Sequence, residues 1–244
     1  LTIAKSDLKS ISLIDDQCFG TFAFPDFKMK RSLIFARAAD DLAGVVAILA
    51  TFERLNTSQR KNMLAVFTRA EETGFRGALG FLYSQILGAK NMAISLEASR
   101  ALEGAEISQG PVIRLGDRRS LFNSDVVSRL DFAAESLKKR GKKIQRRIMD
   151  GGVCEGTAFN FLGIKCGGLA IPLGNYHNQK PSGKPGPEFV CLNDLITEVD
   201  LCVEFYKNCE KKINPVKKYL TELEAGFKKD SSLLKRKISF KGRT

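Results

Sequence analysis

Three acidic clusters punctuate the first hundred residues of this chain, Asp40-Asp41, Glu71-Glu72 and Glu97, and each follows a short apolar run that reads as a strand. The runs are 32–36 (SLIFA), 63–67 (MLAVF) and 92–96 (MAISL), and helical periodicity resumes after the first two acidic pairs. Strand, acid, helix, strand is the βαβ pattern, and parallel strands joined by right-handed crossovers align their C-terminal ends along one sheet edge. Open α/β sheets bind ligands at that edge. Carboxylates gathered there repel one another and are costly to bury unpaired, so a cation is their natural partner. The spacing therefore points to a metal site.

The rest of the chain continues the alternation. Leu42, Val45, Val46, Leu49 and Phe52 recur at helical spacing, with an aspartate in front to cap free amides. After Glu71-Glu72, Gly74, Gly77 and Ala78 precede a weaker amphipathic stretch through Leu79, Leu82 and Ile86. The segment 111–115 (PVIRL) predicts a strand, and a helix is expected from near Ser124 to a stop at Gly141. A strand over 144–149 then delivers the glycine-rich turn 150–156 and a short helix through Phe161. The last convincing apolar strand, 168–173, ends in Gly174-Asn175-Tyr176-His177-Asn178. A Gly/Pro-rich loop over 181–187 follows, then a helix capped by Asn193 and running to about Asn208, and another beginning near Pro215. The sum is an α/β chain, a three-layer α/β/α sandwich with a mostly parallel sheet. Its expected divisions are an entry segment over 1–30, one α/β/α domain over 31–227, and a basic tail over 228–244.

Of the 244 residues, 43% are hydrophobic, enough for one good core. The longest apolar stretch, 43–50, is far short of the ~20 residues that span a bilayer, which argues against a membrane segment. Six cysteines, with no C-x-x-C pair among them, argue against a zinc ribbon or a disulfide framework and for free thiols in a reducing cytoplasm. The net charge of +12 sits in two places. Residues 138–147 carry +7 and 228–244 carry +6, so the remainder, at −1, is nearly neutral. Without an aromatic-rich RNA-binding motif, these runs read as solvated faces rather than a nucleic-acid surface.

His177, the one histidine, follows the last strand, at the edge where the acidic turns are expected. Carboxylates joined by an imidazole suit zinc, cobalt or manganese. Neighbouring glutamates on an extended turn point in different directions. One of the Glu71-Glu72 pair can then ligate metal while the other acts as general base, passing its proton to a leaving amine.

In order and spacing, Asp40-Asp41-Leu42-Ala43-Gly44, Arg69 to Ala78 (RAEETGFRGA), Gly151 to Gly156 (GGVCEG) and Tyr176-His177 resemble the motifs of the co-catalytic dizinc aminopeptidases. The resemblance, over about 34–178, is to the glutamyl and leucyl aminopeptidase family that includes the tetrahedral aminopeptidases. It implies a zinc-peptidase sandwich, two divalent ions, a peptide substrate and homo-oligomerisation of the full-length protein. Carried over residue by residue, Asp40 corresponds to the bridging carboxylate, Glu71 to the general base, Glu72 to a terminal ligand and His177 to the terminal histidine. The family usually has aspartate where Ser95 stands, and Glu97 on the same strand face is expected to substitute. The family's first ligand, a histidine in a His-x-Asp element, has no counterpart here. An N-terminally incomplete enzyme is the expected explanation, with 1–30 as the exit of an inserted β-rich segment. The competing expectation is a catalytically inactive sandwich that binds a partner through its basic turn and tail.

Overall fold

The computed structural model describes residues 20–209, 215–230 and 233. Most of the expected 1–30 segment and most of the basic tail lie outside the described residues. Two sheets organise what is described. A small antiparallel sheet joins β1 (Lys28–Lys30), β2 (Leu33–Ala36) and β7 (Glu188–Cys191) in the order β1-β2-β7. The larger one joins β3 (Met92–Arg100), β4 (Val112–Asp117), β5 (Gln145–Met149) and β6 (Lys165–Leu173) in the order β3-β6-β4-β5. Here β3 and β6 are parallel, as are β4 and β5, whereas β4 runs antiparallel to β6.

The layers follow from side-chain alternation along β6, which is buried on both faces because helices cover both. Leu169, Ile171 and Leu173 pack toward α1 (Ala39–Arg54), α4 (Ser124–Lys139) and α6 (Leu192–Asn208). Cys166 faces the other way, toward Ala78 of α3 (Arg76–Tyr83) and Phe159 of α5 (Glu155–Phe161). A short helix, α2 (Thr57–Arg60), follows α1, and α7 (Pro215–Asp230) closes the described chain. The α/β/α sandwich with a mixed, mostly parallel sheet is therefore present. Asn123 caps α4, its side chain accepting from Asp125 N and Val126 N, and Val126, Leu130, Ala133 and Leu137 bury at the expected helical spacing.

Three details differ from the expectation of a common strand edge. The run 32–36 enters the small sheet rather than the large one, and 63–67 forms no strand at all. An apolar run becomes a strand only when a neighbour takes up its main-chain hydrogen bonds. The reversal of β4 also sends its C-terminal end to the opposite edge from that of β6. Further on, the residue capping α6 is Cys191, with no side-chain bond, rather than Asn193; Asp194 instead reaches away to accept from Ser108 N and Gly110 N.

The basic turn is largely paired, three of its charges with residues distant in sequence and two with near neighbours. Arg140 pairs with Glu204, Lys142 with Asp200, Arg146 with Asp131 and Arg147 with Asp150, while Lys138 meets Glu135. Lys143 donates to Gln109 Oε1. The +7 of the sequence is thus not a free cationic face, which weakens the case for a binding module built on it.

Candidate metal centre

The cluster assembles where the small sheet meets the C-terminal ends of β3 and β6. β2 hands the chain to Asp40, and the Asp40-Asp41 peptide bond is cis. Asp40 and Asp41 are non-helical, so the regular helix begins after them, with Asp41 Oδ1 accepting from Gly44 N at 3.0 Å. The cap expected at the start of this helix is therefore Asp41, and Asp40 remains outside it.

Glu71 and Glu72 lie in a 3₁₀ turn (Glu71–Thr73) flanked by left-handed Ala70 and Gly74. Two contacts place this turn. Gly77 N donates to Arg69 O, and a Cβ at Gly77 would lie 2.5 Å from that oxygen, so only glycine lets α3 start so close. Thr68 Oγ1 donates to the Glu155 carboxylate at 2.7 and 2.9 Å, tying the approach to the start of α5. His177 sits in a second 3₁₀ turn (Tyr176–Asn178) just beyond β6, its ring stacked on Tyr176 at 3.8 Å, with the Arg100 guanidinium over the tyrosine face.

Three of the four sequence-predicted ligands come together. Asp40, Glu72 and His177 each offer one donor atom, and these atoms lie within 4.8 Å of one another. His177 Nε2 is 3.3 Å from Glu72 Oε1. A cleft of about 350 Å³ opens on them, lined also by Arg37, Asn178 and Glu188. Glu97 is not in the set: its Oε1 accepts from Ser95 Oγ at 2.9 Å, and its Oε2 faces buried Arg114 at 3.9 Å. Ser95 thus supports the glutamate expected to replace it.

The electrostatics are those of an undercompensated anion cluster. Burial raises the Asp40 carboxyl to about 8, with Glu97, Glu188, Glu72 and Glu71 adding repulsion. Burial and Glu97 push Asp41 to about 9 and Glu71 to about 7. Glu97 is also raised by burial, against the pull of Arg114 and the Ser95 hydroxyl. Two carboxylate oxygens and an imidazole nitrogen converging where negative charge is unrelieved fit a divalent ion with mixed N/O preference. Among the described residues this is the one such set of three.

Two further side chains shape the centre without having been singled out in the sequence. Arg114 interrupts an apolar strand, VIRLGD, and a charge between buried neighbours is the signal that marked it. Glu188, at the exit of a Gly/Pro-rich loop, carried no such signal. Asp117 is structural: it accepts from Arg119 N, Ser120 N, Cys154 N and Thr157 Oγ1, locking β4 to the glycine-rich turn.

The sequence profile of the M42 glutamyl aminopeptidases matches residues 5–181. The chain belongs to this family. Among solved structures, an aminopeptidase from the archaeon Desulfurococcus kamchatkensis is similar over 86% of this chain and 60% of its own, at 20% identity and a TM-score of 0.62. A TET aminopeptidase from a marine-sediment thaumarchaeon shares 18% identity, covering 79% and 54%, with a TM-score of 0.60. The TET1 peptidase of Pyrococcus horikoshii, described as assembling into a tetrahedron or a large octahedral shell, shares 24% identity, covering 74% and 52%, with a TM-score of 0.58. This M42 chain thus spans roughly half to three-fifths of the length of these relatives. No curated protein sequence matches it.

Proposed function

We propose that this chain is the site-bearing part of a metal-dependent aminopeptidase that removes N-terminal residues from peptides. The observation that carries the proposal is the convergence of Asp40, Glu72 and His177, three residues far apart in sequence, on a space within reach of one ion. These three would hold the ion, with zinc the best match to the donor set, and a bound divalent ion there supplies Lewis-acid polarisation of the scissile carbonyl. Glu71, adjacent to a ligand but outside the set, is half-buried with its carboxyl raised to about 7. A carboxylate so tuned takes a proton from the attacking water and returns it to the leaving nitrogen near neutral pH. The excess carboxylates of the cleft also favour the cationic amino terminus of a peptide, which supports an exopeptidase acting at that end.

A second ion, as the family resemblance implies, would share Asp40 and draw on Glu97. The engagement of Glu97 by Ser95 and Arg114 supports one ion more directly than two. Homo-oligomerisation is part of the proposal, since the exposed Leu42, Val46 and Leu49 form an apolar stripe along α1 that an assembly would cover. Free Cys154, Cys166, Cys191 and Cys202 support a reducing, cytoplasmic setting.

Calorimetric titration of the metal-free chain with zinc or cobalt, beside hydrolysis of amino-acyl anilides, tests this reading. His177→Ala is expected to abolish tight binding. Glu71→Gln is expected to retain the metal and to lose turnover by about 10²- to 10⁴-fold. A chain that takes up no metal, or a His177→Ala variant that binds as well as the parent, overturns the proposal.

A further inference from the structure

Glu188 lines the cleft yet lies outside the three-ligand set, and only 3% of it is exposed. A carboxylate so buried needs donors, and those it has are main-chain amides. Its Oε2 accepts from Asp40 N at 3.0 Å, and the carboxylate faces the main-chain amides of His177 and Asn178, which favour its charged form. These amides belong to the turn after β2 and the turn after β6, two of the three segments that deliver the cluster. Glu188 itself opens β7 and stands in register with Ala36 of β2. One side chain thus joins two backbones, beside the bond from Asn178 Nδ2 to Arg37 O.

The local conformation fits this role. His177 and Asn178 are successive non-glycine residues in the left-handed region, at φ 54° and 58°. Each carries a steric cost that surrounding structure must offset. Successive amides in such turns converge on an anion, and here the anion is the Glu188 carboxylate. The same turn is anchored by Asn178 Nδ2 donating to Arg37 O at 2.9 Å and by Gly186 N donating to Asn178 O at 2.9 Å. Burial raises the Glu188 carboxyl while these donors and His177 lower it, so the amides offset part of the desolvation.

We propose that Glu188 is a positioning residue: by accepting the N–H of Asp40 and facing those of His177 and Asn178, it sets the separation of the Asp40 carboxylate and the His177 imidazole that a divalent cation requires. Its consequence for metal rests on the function proposed above, whereas the clasp itself is a property of this chain alone. Glutamine at 188 keeps the shape and one acceptor but turns an NH₂ toward amides that donate. In the full chain, Glu188→Gln is expected to weaken cobalt or zinc binding by on the order of 10- to 100-fold. Stoichiometry, and at saturation the visible spectrum of bound cobalt, should stay those of the parent. Unchanged affinity overturns the proposal, and so does a changed cobalt spectrum, which would make Glu188 a ligand.

Hydrogen exchange of the metal-free parent provides a check that needs neither variant nor metal. The Asp40, His177 and Asn178 amides should exchange slowly together, and Glu188→Gln should accelerate all three. Rapid exchange of these amides in the parent sinks the clasp even if the variant does not fold. Should the parent bind no metal, the aminopeptidase reading fails, while slow exchange still upholds the clasp and fast exchange still refutes it.

Discussion

Replacing Glu198 with methionine should stabilise this protein, and more at neutral pH than in mild acid. Glu198 lies on α6 with 0% exposure, and neither carboxylate oxygen has a hydrogen-bond partner among the described residues. Burial raises its carboxyl well above the usual range, with Asp194 and Glu97 adding repulsion. A buried polar group left unsatisfied costs about 1–3 kcal/mol, and methionine fills nearly the same volume without that demand. Taking about 2 kcal/mol and about 2–4 °C per kcal/mol for a domain of this size, the melting temperature should rise by about 4–8 °C. The sign of the pH effect follows from linkage. A carboxyl with a raised folded pKa is no burden below its unfolded value; above that, the folded state must take up a proton or bury a charge. Stability is lost as pH rises, by at most about 1.4 kcal/mol per unit for one group. Asp40, Asp41 and Glu71 add the same sign and are common to both proteins, so the difference curve reports Glu198 together with its coupling to Asp41. Urea denaturation of parent and Glu198→Met at pH 5 and pH 7.5 measures it. A variant less stable than the parent at both pH values, or an advantage that does not grow with pH, refutes the reasoning.

Asp117→Ala strands four donors at the end of β4 and should cost about 3 kcal/mol or more, read as a lower urea midpoint. Gly77→Ala forces a methyl group to within 2.6 Å of both Arg69 N and Arg69 O, so about 1–3 kcal/mol of stability should be lost. Metal titration should weaken along with it as the Glu71-Glu72 turn shifts. Arg140→Ala and Lys142→Ala break exposed ion pairs and should each change stability by less than about 1 kcal/mol, with the difference shrinking at high salt. Their elution from heparin should also stay close to that of the parent, because these charges are already paired.

The parts of the fold that were legible in the sequence are those decided locally. The helix 124–139 announces itself by its period and its capping asparagine, and β4 and β6 by apolar runs bounded by turn residues. Strand direction and sheet membership are decided by partners, which is why the reversal of β4, the separate sheet of β2 and the unpaired run 63–67 were not readable. The same division holds at the centre. Asp40, Glu72 and His177 stand in turns whose residues mark them, and the structure brings them together. Glu97 sits in a strand whose neighbour supplies Arg114, and no local pattern foretells which cation a buried carboxylate will meet. Glu188 and Glu198 look like ordinary solvated glutamates until three dimensions bury them.

The small sheet β1-β2-β7 rests on strands of three to four residues, whereas β3 and β6 pair over nine. Short ladders open at lower free energy than long buried ones. Heating should therefore loosen the grip on Asp40 while the four-stranded core is still intact, so chelator access and loss of helical signal become separate events. A melting curve followed by circular dichroism alone would overstate the temperature range in which the cation cage survives.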